Sequence, residues 1–587
     1  MKTRIGMKII WITVLLFAMT GPAHGQSDPY QIQIWIEHHL NTTDQMDAAG
    51  CGEDIRQAEK WTLDFYVQRN YLATWIDEVG LKPEASLLIS TIHKVEKEAL
   101  FQKVYSIKPI NQLIAIAIFI TDRGGSLPSD MAARLDIALT NSFFLYSISF
   151  SKGHLEKQYF QDILTLKDYS AHLVYELEDA LNTGTFDIFL DSLKPPQNYH
   201  SLKAAKKRYE NIVAAGGWAK ISKGPVMKEG DQHDNIILLR ERLLLSRDLS
   251  KLSTKNPSYF DRTLKEAVQL FQKRHGLTPD GIVGPSTLLA LNVPAEKRLE
   301  QILVNLERLR QLPRNLGERY IEVNIPAFTL KVMDKGEIVQ TMRVVVGRID
   351  RPTPVFSGRI TYLEINPYWT VPPRIAKNDI LPKIQQDPSY LIRKQIKVFE
   401  NWKRTAAELD PFSIDWNQLN ESYFPYRLRQ EPTVNNALGQ IKFMFPNKLN
   451  VYLHDTPLKE LFQHQRRSFS SGCVRVEKPI DLASYLLGVD DVWNRQKLSR
   501  ILKEENRMPK VILLKSPISV YLLYQTAWVE GEDNVHFRND IYRRDQALAQ
   551  HLKKQPLNFR TCQNDLNSNQ WAKSYNKDQS KESNKHI

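Results

Sequence analysis

The stretch YIEVNIPAFTLKVMDKGEIVQTMRVVVG, Tyr320–Gly347, decides the fold of the second half of the chain, because its apolar residues recur with a period of two. Such alternation indicates strands with one buried face, here over residues 321–325 and 328–332. The segment Asp334-Lys335-Gly336 suits a hairpin turn between two strands. Further candidate strands are Ile360–Ile365, Ile441–Phe445, Val451–His454, Val511–Leu514 and Val520–Trp528. The pattern predicts a mostly β domain over residues 318–545.

A long insertion interrupts the strands of this domain. Residues 376–438 hold two helix-like segments, Leu381–Tyr390 and Trp402–Leu409, where the alternation stops. An insertion of this length beside a site often covers it. We therefore expect a helical lid.

The region before the β domain has helical periodicity. Within residues 231–296, Gly276 is a candidate helix stop and Gly284 with Pro285 a candidate helix start. The residues that share the apolar face of the preceding helix are Leu264, Ala267, Val268 and Phe271. The pattern predicts a small three-helix module, followed by a helical linker over residues 297–317.

The rest of the chain completes a multidomain α+β architecture. Residues 26–230 show mostly helical spacing without a catalytic constellation, which is typical of a scaffold. Residues 546–587 are polar, and we expect a disordered tail there.

Composition limits the classes of partner. Of 587 residues, 42% are hydrophobic and 25% are charged, as in ordinary folded protein. The formal charge of +13 favours anionic partners, which include nucleic acid, anionic lipid and acidic wall polymer. The chain has three cysteines, Cys51, Cys473 and Cys562, so a disulfide framework is not expected and at least one thiol lacks a partner within the chain.

The first 25 residues have the form of a secretory signal peptide. Lys2, Arg4 and Lys8 precede an apolar run over Ile9–Met19, and the small residues Ala23 and Gly25 follow it. The run is too short to span a bilayer comfortably. We therefore expect a periplasmic protein that has no membrane insertion after signal cleavage, and export argues against nucleic acid as a partner.

Two separated segments contain the candidate catalytic residues. In VYLHDTP, alternation places Tyr452 and His454 on one face of a strand, opposite Val451 and Leu453. Nineteen residues after His454, the stretch SFSSGCVRV places Cys473 beside a glycine. A thiol needs a nearby base to become a nucleophile, and His454 is the candidate. A buried, inert thiol is the alternative reading of the same residues.

The segment HDTPLKELFQHQRRSFSSGCVRV resembles the active-site segment of the L,D-transpeptidase family, in its large periplasmic type with a scaffold, a peptidoglycan-binding module and a lidded catalytic domain. The resemblance implies that Cys473 is the nucleophile and His454 the general base, with backbone amides of Gly472 and Cys473 as an oxyanion site. Ser471 stands where the family usually has a second histidine, and Arg475 stands where it often has asparagine.

The same resemblance implies the reaction and the partners. Cys473 would release D-alanine from a tetrapeptide stem of peptidoglycan and pass the acyl group from this donor to the amine of an acceptor stem, forming a 3→3 cross-link. Substrate contacts are expected from Tyr452, Ser471, Arg475 and Trp369, although Arg475 could be solvated and Trp369 could be a core residue. Carbapenems are expected to acylate the thiol.

The module at residues 231–296 resembles peptidoglycan-binding modules through AVQLFQKRHGLTPDGIVGPSTLLALN. The chain could therefore also be a wall-binding protein without catalysis. An L,D-carboxypeptidase, or an enzyme that attaches lipoprotein amines, would use the same nucleophile. No cofactor or metal is expected, because the sequence lacks CxxC and HExxH motifs and zinc at His454, Asp455 and Cys473 would compete with thiolate chemistry. The order histidine before cysteine disfavours a papain-like protease.

Overall fold

The computed structural model describes residues 28–42, 53–98, 113–115, 127–151, 169–193, 197–251, 256–310, 312, 316–488, 493, 495–504, 508–531 and 534–554. The expected signal peptide, Cys51, Cys562 and the chain beyond residue 554 lie outside these ranges. The described residues form two compact units, one from those up to residue 147 and within 174–190, and one from those within 148–173 and 191–554. No helix in the described ranges is long and apolar enough to cross a membrane.

The N-terminal half is helical, as the spacing of its apolar residues predicts. Its helices are α1 (Pro29–Thr42), α2 (Glu53–Gln68), α3 (Pro83–Glu98), α4 (Ser129–Ser151), α5 (Tyr169–Asn182), α6 (Phe186–Ser192) and α7 (Gln197–Ala214). In the first unit, the buried carboxylate of Asp136 accepts hydrogen bonds from the Tyr66 hydroxyl at 2.5 Å and the Trp75 N–H at 2.7 Å. Paired in this way, a buried polar group joins helices that are distant in sequence.

The β domain is built on the alternating stretch. Its strands are β1 (Arg319–Asn324), β2 (Thr329–Asp334), β3 (Glu337–Gly347), β4 (Phe356–Ile365), β9 (Ile441–Met444), β10 (Leu453–His454), β11 (Ser468–Ser470), β12 (Val474–Val476) and β13 (Lys510–Leu523). The predicted hairpin joins β2 and β3. Lys335 and Gly336 at its turn both have positive φ, at 50° and 85°, which matches the twist of a tight hairpin.

These strands form one sheet that closes on itself. Its order is β11-β3-β12-β10-β9-β4-β13-β1-β2, and β2 also pairs with β3. The apolar faces meet inside, where Ile321, Val323, Leu330 and Phe443 are fully buried. Helices α15 (Pro479–Leu487) and α16 (Arg495–Lys503) pack against this core. The mostly β domain therefore has a barrel-like sheet.

One long strand replaces two predicted ones. Val511–Leu514 and the beginning of Val520–Trp528 both belong to β13, whose register against β4 shifts between Leu513 and Ile518. Pro517 lies at this irregularity, where a missing N–H breaks no ladder hydrogen bond. The chain then turns into a separate hairpin, β14 (Ala527–Glu530) and β15 (Asn534–Phe537).

The lid is mixed rather than helical. Its helical part consists of α12 (Pro373–Ile375), a π-helical turn (Ala376–Ile380), α13 (Leu381–Gln386) and α14 (Ser389–Arg393). A four-stranded sheet accompanies them, in the order β5 (Trp369–Thr370), β8 (Arg427–Gln430), β6 (Ile396–Phe399) and β7 (Glu408–Leu409). The prediction of a helix over Trp402–Leu409 is wrong, because Asn401 accepts from the Lys403 N–H in a turn and Leu409 pairs with Val398.

The predicted module has three helices, α8 (Asn235–Leu245), α9 (Arg262–Arg274) and α10 (Pro285–Leu291). Asp261 caps α9 by accepting from the Leu264 N–H at 2.8 Å. Gly276 follows α9 with a φ of +67°, and Gly284 with Pro285 starts α10. The predicted apolar face, Leu264, Ala267, Val268 and Phe271, is buried in the core of the module.

A buried junction joins this module to the β14–β15 hairpin. Arg274 pairs with Asp248 within the module, where the two side chains are 3% and 0% exposed, and also donates to a carbonyl of β15. Arg538 donates through Nη1 to the Arg274 carbonyl at 2.7 Å. The ring of His275 stacks on Phe537 with centroids 5.5 Å apart. The ion pair with Asp248 fixes the Arg274 side chain, and the two hydrogen bonds and the ring stack hold the module to the hairpin.

Two helices lie at the predicted boundaries. Helix α7, within the predicted scaffold, packs on the linker helix α11 (Ala295–Arg310) in the second unit. Helix α17 (Arg544–Lys554) extends beyond residue 545, and its Asp545 accepts from Arg308 of α11 at 2.6 Å. Regular structure thus continues into the first residues of the predicted tail.

Candidate active site

Adjacent strands place four predicted site residues on one face, here called the thiol face: Tyr452, His454, Cys473 and Arg475. Strand β10 runs parallel to β12, with Leu453 opposite Val474 and His454 opposite Arg475. Leu453 and Val474 are fully buried in the barrel core. Since successive side chains point to opposite faces of a strand, the four neighbours project away from that core.

Cys473 is half-buried, and burial raises the pKa of its thiol above the ordinary value. The backbone N–H and the hydroxyl of Tyr452 both hydrogen-bond to the sulfur and lower this pKa, as do the charges of Lys442 and Arg475. Sγ lies 3.8 Å from the carbonyl oxygen of Asn450. The resting thiol is therefore protonated near neutral pH and needs a base to react.

His454 is buried with its ring oriented by the backbone. Nδ1 lies 2.5 Å from the carbonyl oxygen of Asp455. A carbonyl oxygen only accepts, so a neutral ring with its hydrogen on Nδ1 has its lone pair on Nε2. The backbone of Leu438 is a second hydrogen-bonding partner of the ring. Burial, aided by the positive charge of Arg475, lowers the pKa of His454 to about 3. The imidazole is therefore neutral at physiological pH.

The base and the thiol are neighbours that do not yet touch. Among the residues that the structure describes, no hydrogen bond joins the imidazole of His454 to the thiol of Cys473. The two residues lie diagonally on adjacent strands, offset by two residues along the parallel register. The thiol must turn from the Asn450 carbonyl toward the ring, and such bonds often tighten only when substrate binds.

The carboxylate of Asp455 has other partners. It accepts from the N–H of Gln440 at 2.9 Å, from the N–H of Thr456 at 2.7 Å and from the ammonium of Lys459. Gly439 leaves room for it, since a Cβ there would lie 2.4 Å from the carboxyl carbon. This carboxylate shapes the turn after β10, while the Asp455 carbonyl orients the histidine.

The backbone before the nucleophile has a conformation that requires glycine. Gly472 has a φ of +118°, which other residues rarely adopt. Its N–H donates to the Ser470 hydroxyl at 3.2 Å, and that hydroxyl donates to the Cys473 carbonyl at 2.5 Å. The Cys473 N–H makes no hydrogen bond to any described residue. Of the two predicted oxyanion donors, that of Cys473 is free and that of Gly472 has a partner.

The remaining predicted contacts differ in position. Nε of Arg475 is buried and has no hydrogen-bond partner among the described residues. Ser471 is exposed, and its hydroxyl accepts from Nη1 of Arg351 at 3.1 Å. Trp369 lies in β5 and packs against the apolar core of the lid, so a role in substrate contact remains a prediction for it.

Lys442 is a site residue that the sequence analysis missed. It lies opposite His454 on β9, its ammonium is 4.3 Å from the ring centroid of Tyr452, and it pairs with Glu364 at 3.3 Å. The sequence could have indicated this residue, because the residues on either side of Lys442, Ile441 and Phe443, are apolar and buried, so Lys442 must point to the opposite face of β9. With Arg475, Lys442 makes the thiol face positive.

Replacing Tyr452 with phenylalanine is expected to slow alkylation of Cys473 by iodoacetamide about tenfold at pH 7, because a hydrogen bond to a charged group is worth roughly 1.5–3 kcal/mol. Loss of the hydroxyl raises the pKa of the thiol, so less thiolate is present. The rate of mass increase of the intact protein measures the effect. Tyr423→Phe, on the exposed surface of the lid, is the control, and equal rates in the two variants would contradict the assignment.

Three family models match the chain. The model of the L,D-transpeptidase catalytic domain matches residues 318–502. A scaffold domain model matches residues 60–205, and a peptidoglycan-binding domain model matches residues 232–291. The thiol face lies entirely within the first of these matches.

A protein of Haemophilus influenzae assigned as an L,D-transpeptidase is 35% identical to this chain over 263 residues. The match covers 44% of this chain and 52% of that protein, so the chain spans about half the length of this relative. Solved structures of L,D-transpeptidases also match at low similarity. That from Xylanimonas cellulosilytica is 14% identical, with 51% of this chain and 99% of that chain covered and a TM-score of 0.16. That from Stackebrandtia nassauensis is 13% identical, with 52% and 97% covered and a TM-score of 0.19.

The family models agree with the resemblance seen in the two motifs and with the order of the domains. Residues 318–502 form an L,D-transpeptidase catalytic domain, and the chain also carries a scaffold domain and a peptidoglycan-binding domain.

Proposed function

We propose that this protein is a cysteine-dependent L,D-transpeptidase that forms 3→3 cross-links between peptidoglycan stems. The observation that carries the proposal is the pairing of a half-buried thiol with a neutral histidine whose Nδ1 is held by the Asp455 carbonyl, on adjacent strands of a catalytic domain of this family. This arrangement supplies a nucleophile and a base that needs no prior deprotonation.

The first half-reaction forms the acyl-enzyme. Nε2 of His454 takes the thiol proton of Cys473, and Sγ attacks the carbonyl carbon at the L-centre of diaminopimelate in a tetrapeptide stem. As the tetrahedral intermediate collapses, the C–N bond to D-alanine breaks and His454 returns the proton to the leaving amine. A thioester and free D-alanine result.

The second half-reaction forms the cross-link. The side-chain amine of an acceptor stem attacks the thioester carbon and gives a proton to Nε2 of His454. The C–S bond then breaks, and the proton returns to the sulfur. The free N–H of Cys473 is placed to stabilise the oxyanion of both intermediates, and the Gly472 N–H joins it if the Ser470 hydroxyl turns away.

Arg475 is the proposed anchor for a carboxylate of the donor stem. Its Nε is buried without a partner, although buried donors are nearly always paired in proteins, and it lies two residues after the nucleophile on the same face. A planar guanidinium matches a carboxylate in two parallel bonds. Lys442 adds a second positive charge on this face.

Replacing Arg475 with glutamine is expected to raise the KM for a tetrapeptide donor about tenfold to a hundredfold, because a charge-assisted hydrogen bond is worth roughly 1.5–3 kcal/mol. The rate of D-alanine release against donor concentration measures the change. Arg466→Gln is the matched control, since Arg466 is exposed and donates to Ser468. A KM equal to that of the control would leave Arg475 with a structural role only.

Incubating the purified protein with disaccharide tetrapeptides and separating the products by mass spectrometry tests the whole proposal. Dimers with a 3→3 linkage and released D-alanine are expected. Tripeptides alone would instead identify an L,D-carboxypeptidase, and tripeptide joined to an added lipoprotein amine would identify an attachment enzyme. Binding to isolated cell wall without any product would leave a wall-binding protein.

We also propose that the protein acts in the periplasm. Its proposed substrate lies outside the cytoplasm, and the first 25 residues have the form of a signal peptide. The peptidoglycan-binding domain would hold the protein at its polymer. Protease accessibility of the protein in spheroplasts measures this placement.

A further inference from the structure

Residues 348–353, in the loop between β3 and β4, are hydrogen-bonded to the segment that precedes the nucleophile and are here called the strap. It holds the segment of residues 470–473, the nucleophile loop, at successive points. The Arg348 N–H donates to the Ser470 carbonyl at 2.9 Å, and the Thr353 hydroxyl donates to the Gly472 carbonyl at 2.8 Å. The strap folds back tightly, since a Cβ on Gly347 would lie 2.2 Å from the Arg351 carbonyl oxygen.

The strap is also bonded to the lid. The guanidinium of Arg351 donates two hydrogen bonds to the carboxylate of Asp379. One runs from Nη1 to Oδ2 and the other from Nη2 to Oδ1, the second at 3.0 Å. Asp379 lies in the π-helical turn Ala376–Ile380, a geometry that recurs at functional sites. Nη2 of Arg348 lies 3.8 Å from the same carboxylate.

One guanidinium nitrogen of Arg351 bonds to both the lid and the nucleophile loop. Nη1 of Arg351 donates to Asp379 of the lid and, at 3.1 Å, to the Ser471 hydroxyl of the nucleophile loop. The Arg351 side chain is 7% exposed. A lid that moves with Asp379 would take away the two-bonded anionic partner of this guanidinium, and Asp350, 3.8 Å from Nε, would be its remaining carboxylate neighbour. Arg351 would then shift. Ser471 would then lose its donor.

We propose that Arg351 is a positioning residue that couples the seating of the lid to the shape of the nucleophile loop. With the lid seated, the contacts Asp379–Arg351–Ser471 hold residues 470–473 in the conformation that presents the Cys473 N–H and thiol. With the lid raised to admit a stem, the loop relaxes and acyl transfer slows. The inference also accounts for a small hydroxyl at position 471, which leaves room for the guanidinium. Its kinetic part rests on the proposed function.

Three variants and one control test the coupling. Asp379→Asn removes the charge that holds Arg351, Ser471→Ala removes the bond on the other side, and Asp379→Glu keeps the carboxylate. Glu408→Gln is the control, because its exposed ion pair with Lys397, at 2.9 Å, also lies in the lid but is remote in sequence from the strap. Circular dichroism confirms folding of each variant.

The first readout is hydrogen exchange of peptides that cover residues 468–476, which does not depend on activity. Faster exchange is expected there in Asp379→Asn, with recovery in Asp379→Glu and no change in Glu408→Gln. The second readout is the rate of carbapenem acylation at saturating drug. A fall of tenfold or more is expected in Asp379→Asn and Ser471→Ala, and near-normal rates in Asp379→Glu and Glu408→Gln.

If Asp379→Asn exchanges faster only in the lid and its acylation rate at saturating carbapenem is unchanged, the proposal is overturned. The Arg351–Asp379 pair would then only stabilise the lid locally. If Asp379→Asn fails to fold, Ser471→Ala decides, since a rate equal to that of the wild type would equally overturn it. If the wild-type thiol takes no adduct, the proposed function fails. The exchange of residues 468–476 then decides the coupling by itself.

Discussion

A Cys473→Ala variant is expected to lose the acyl-enzyme completely. Incubated with a carbapenem, the wild-type protein gains one drug mass and the variant gains none, because no other group on the thiol face can form the thioester. Formation of 3→3 dimers from tetrapeptides falls below detection in the same variant. Intact-mass spectrometry measures the first result and product chromatography the second.

The other cysteines serve as controls for this result. Cys51→Ala and Cys562→Ala are expected to take the adduct as the wild type does. An adduct on Cys473→Ala, or on neither the wild type nor the variant, would defeat the assignment of the nucleophile. Binding of Cys473→Ala to isolated cell wall should persist, because the peptidoglycan-binding domain has its own core.

Replacing His454 with glutamine is expected to slow acylation by about 10²- to 10⁴-fold at neutral pH, the range that general-base catalysis contributes. Glutamine has similar length and can bond to the Asp455 carbonyl, but it has no basic nitrogen. The thiol, whose pKa burial raises, is then mostly protonated without a base beside it. The rate of carbapenem adduct formation measures the loss.

The pH dependence separates a base from a structural residue. Burial lowers the pKa of His454 to about 3, so the ring stays neutral down to acidic pH and the wild-type rate should be flat from about pH 5 to 8. The variant depends on spontaneous thiolate, so its rate should rise with pH and approach the wild-type rate in alkali. A wild-type inflection near pH 6.5, or parallel profiles, would contradict the role of the base.

Sequence periodicity predicted most of the fold because its signal is local. Alternation along Tyr320–Gly347 is set by one buried face, and the strands β1 to β3 appear where it places them. The prediction of a second helix in the lid is wrong because the same apolar spacing also suits a turn followed by β7. The pairing of β7 with β6 favours the strand. The merging of two strands into β13 depends on a bulge at Pro517, whose partner strand is distant in sequence.

The sequence likewise predicted some features of the candidate site and not others. Alternation predicted that Tyr452 and His454 share a face, and the parallel register with β12 adds Cys473 and Arg475. Contacts of the strap could not be predicted, since Arg351 and Ser471 are 120 residues apart and loops have no periodicity. His454 is hydrogen-bonded to the carbonyl of Asp455 and not to its carboxylate. This choice depends on the geometry of the turn, which residue types do not reveal.

The buried junction of Arg274, Asp248 and Arg538 has a consequence for how the protein meets its polymer. A module on a flexible linker would let the active site search a volume around the bound strand. Here the module that would hold the strand is hydrogen-bonded through Arg274 and Arg538 to the β14–β15 hairpin and the residue after it, which restricts its movement relative to the domain that carries Cys473. On the proposed function, the spacing of stems along the gripped strand then determines which stem meets the thiol.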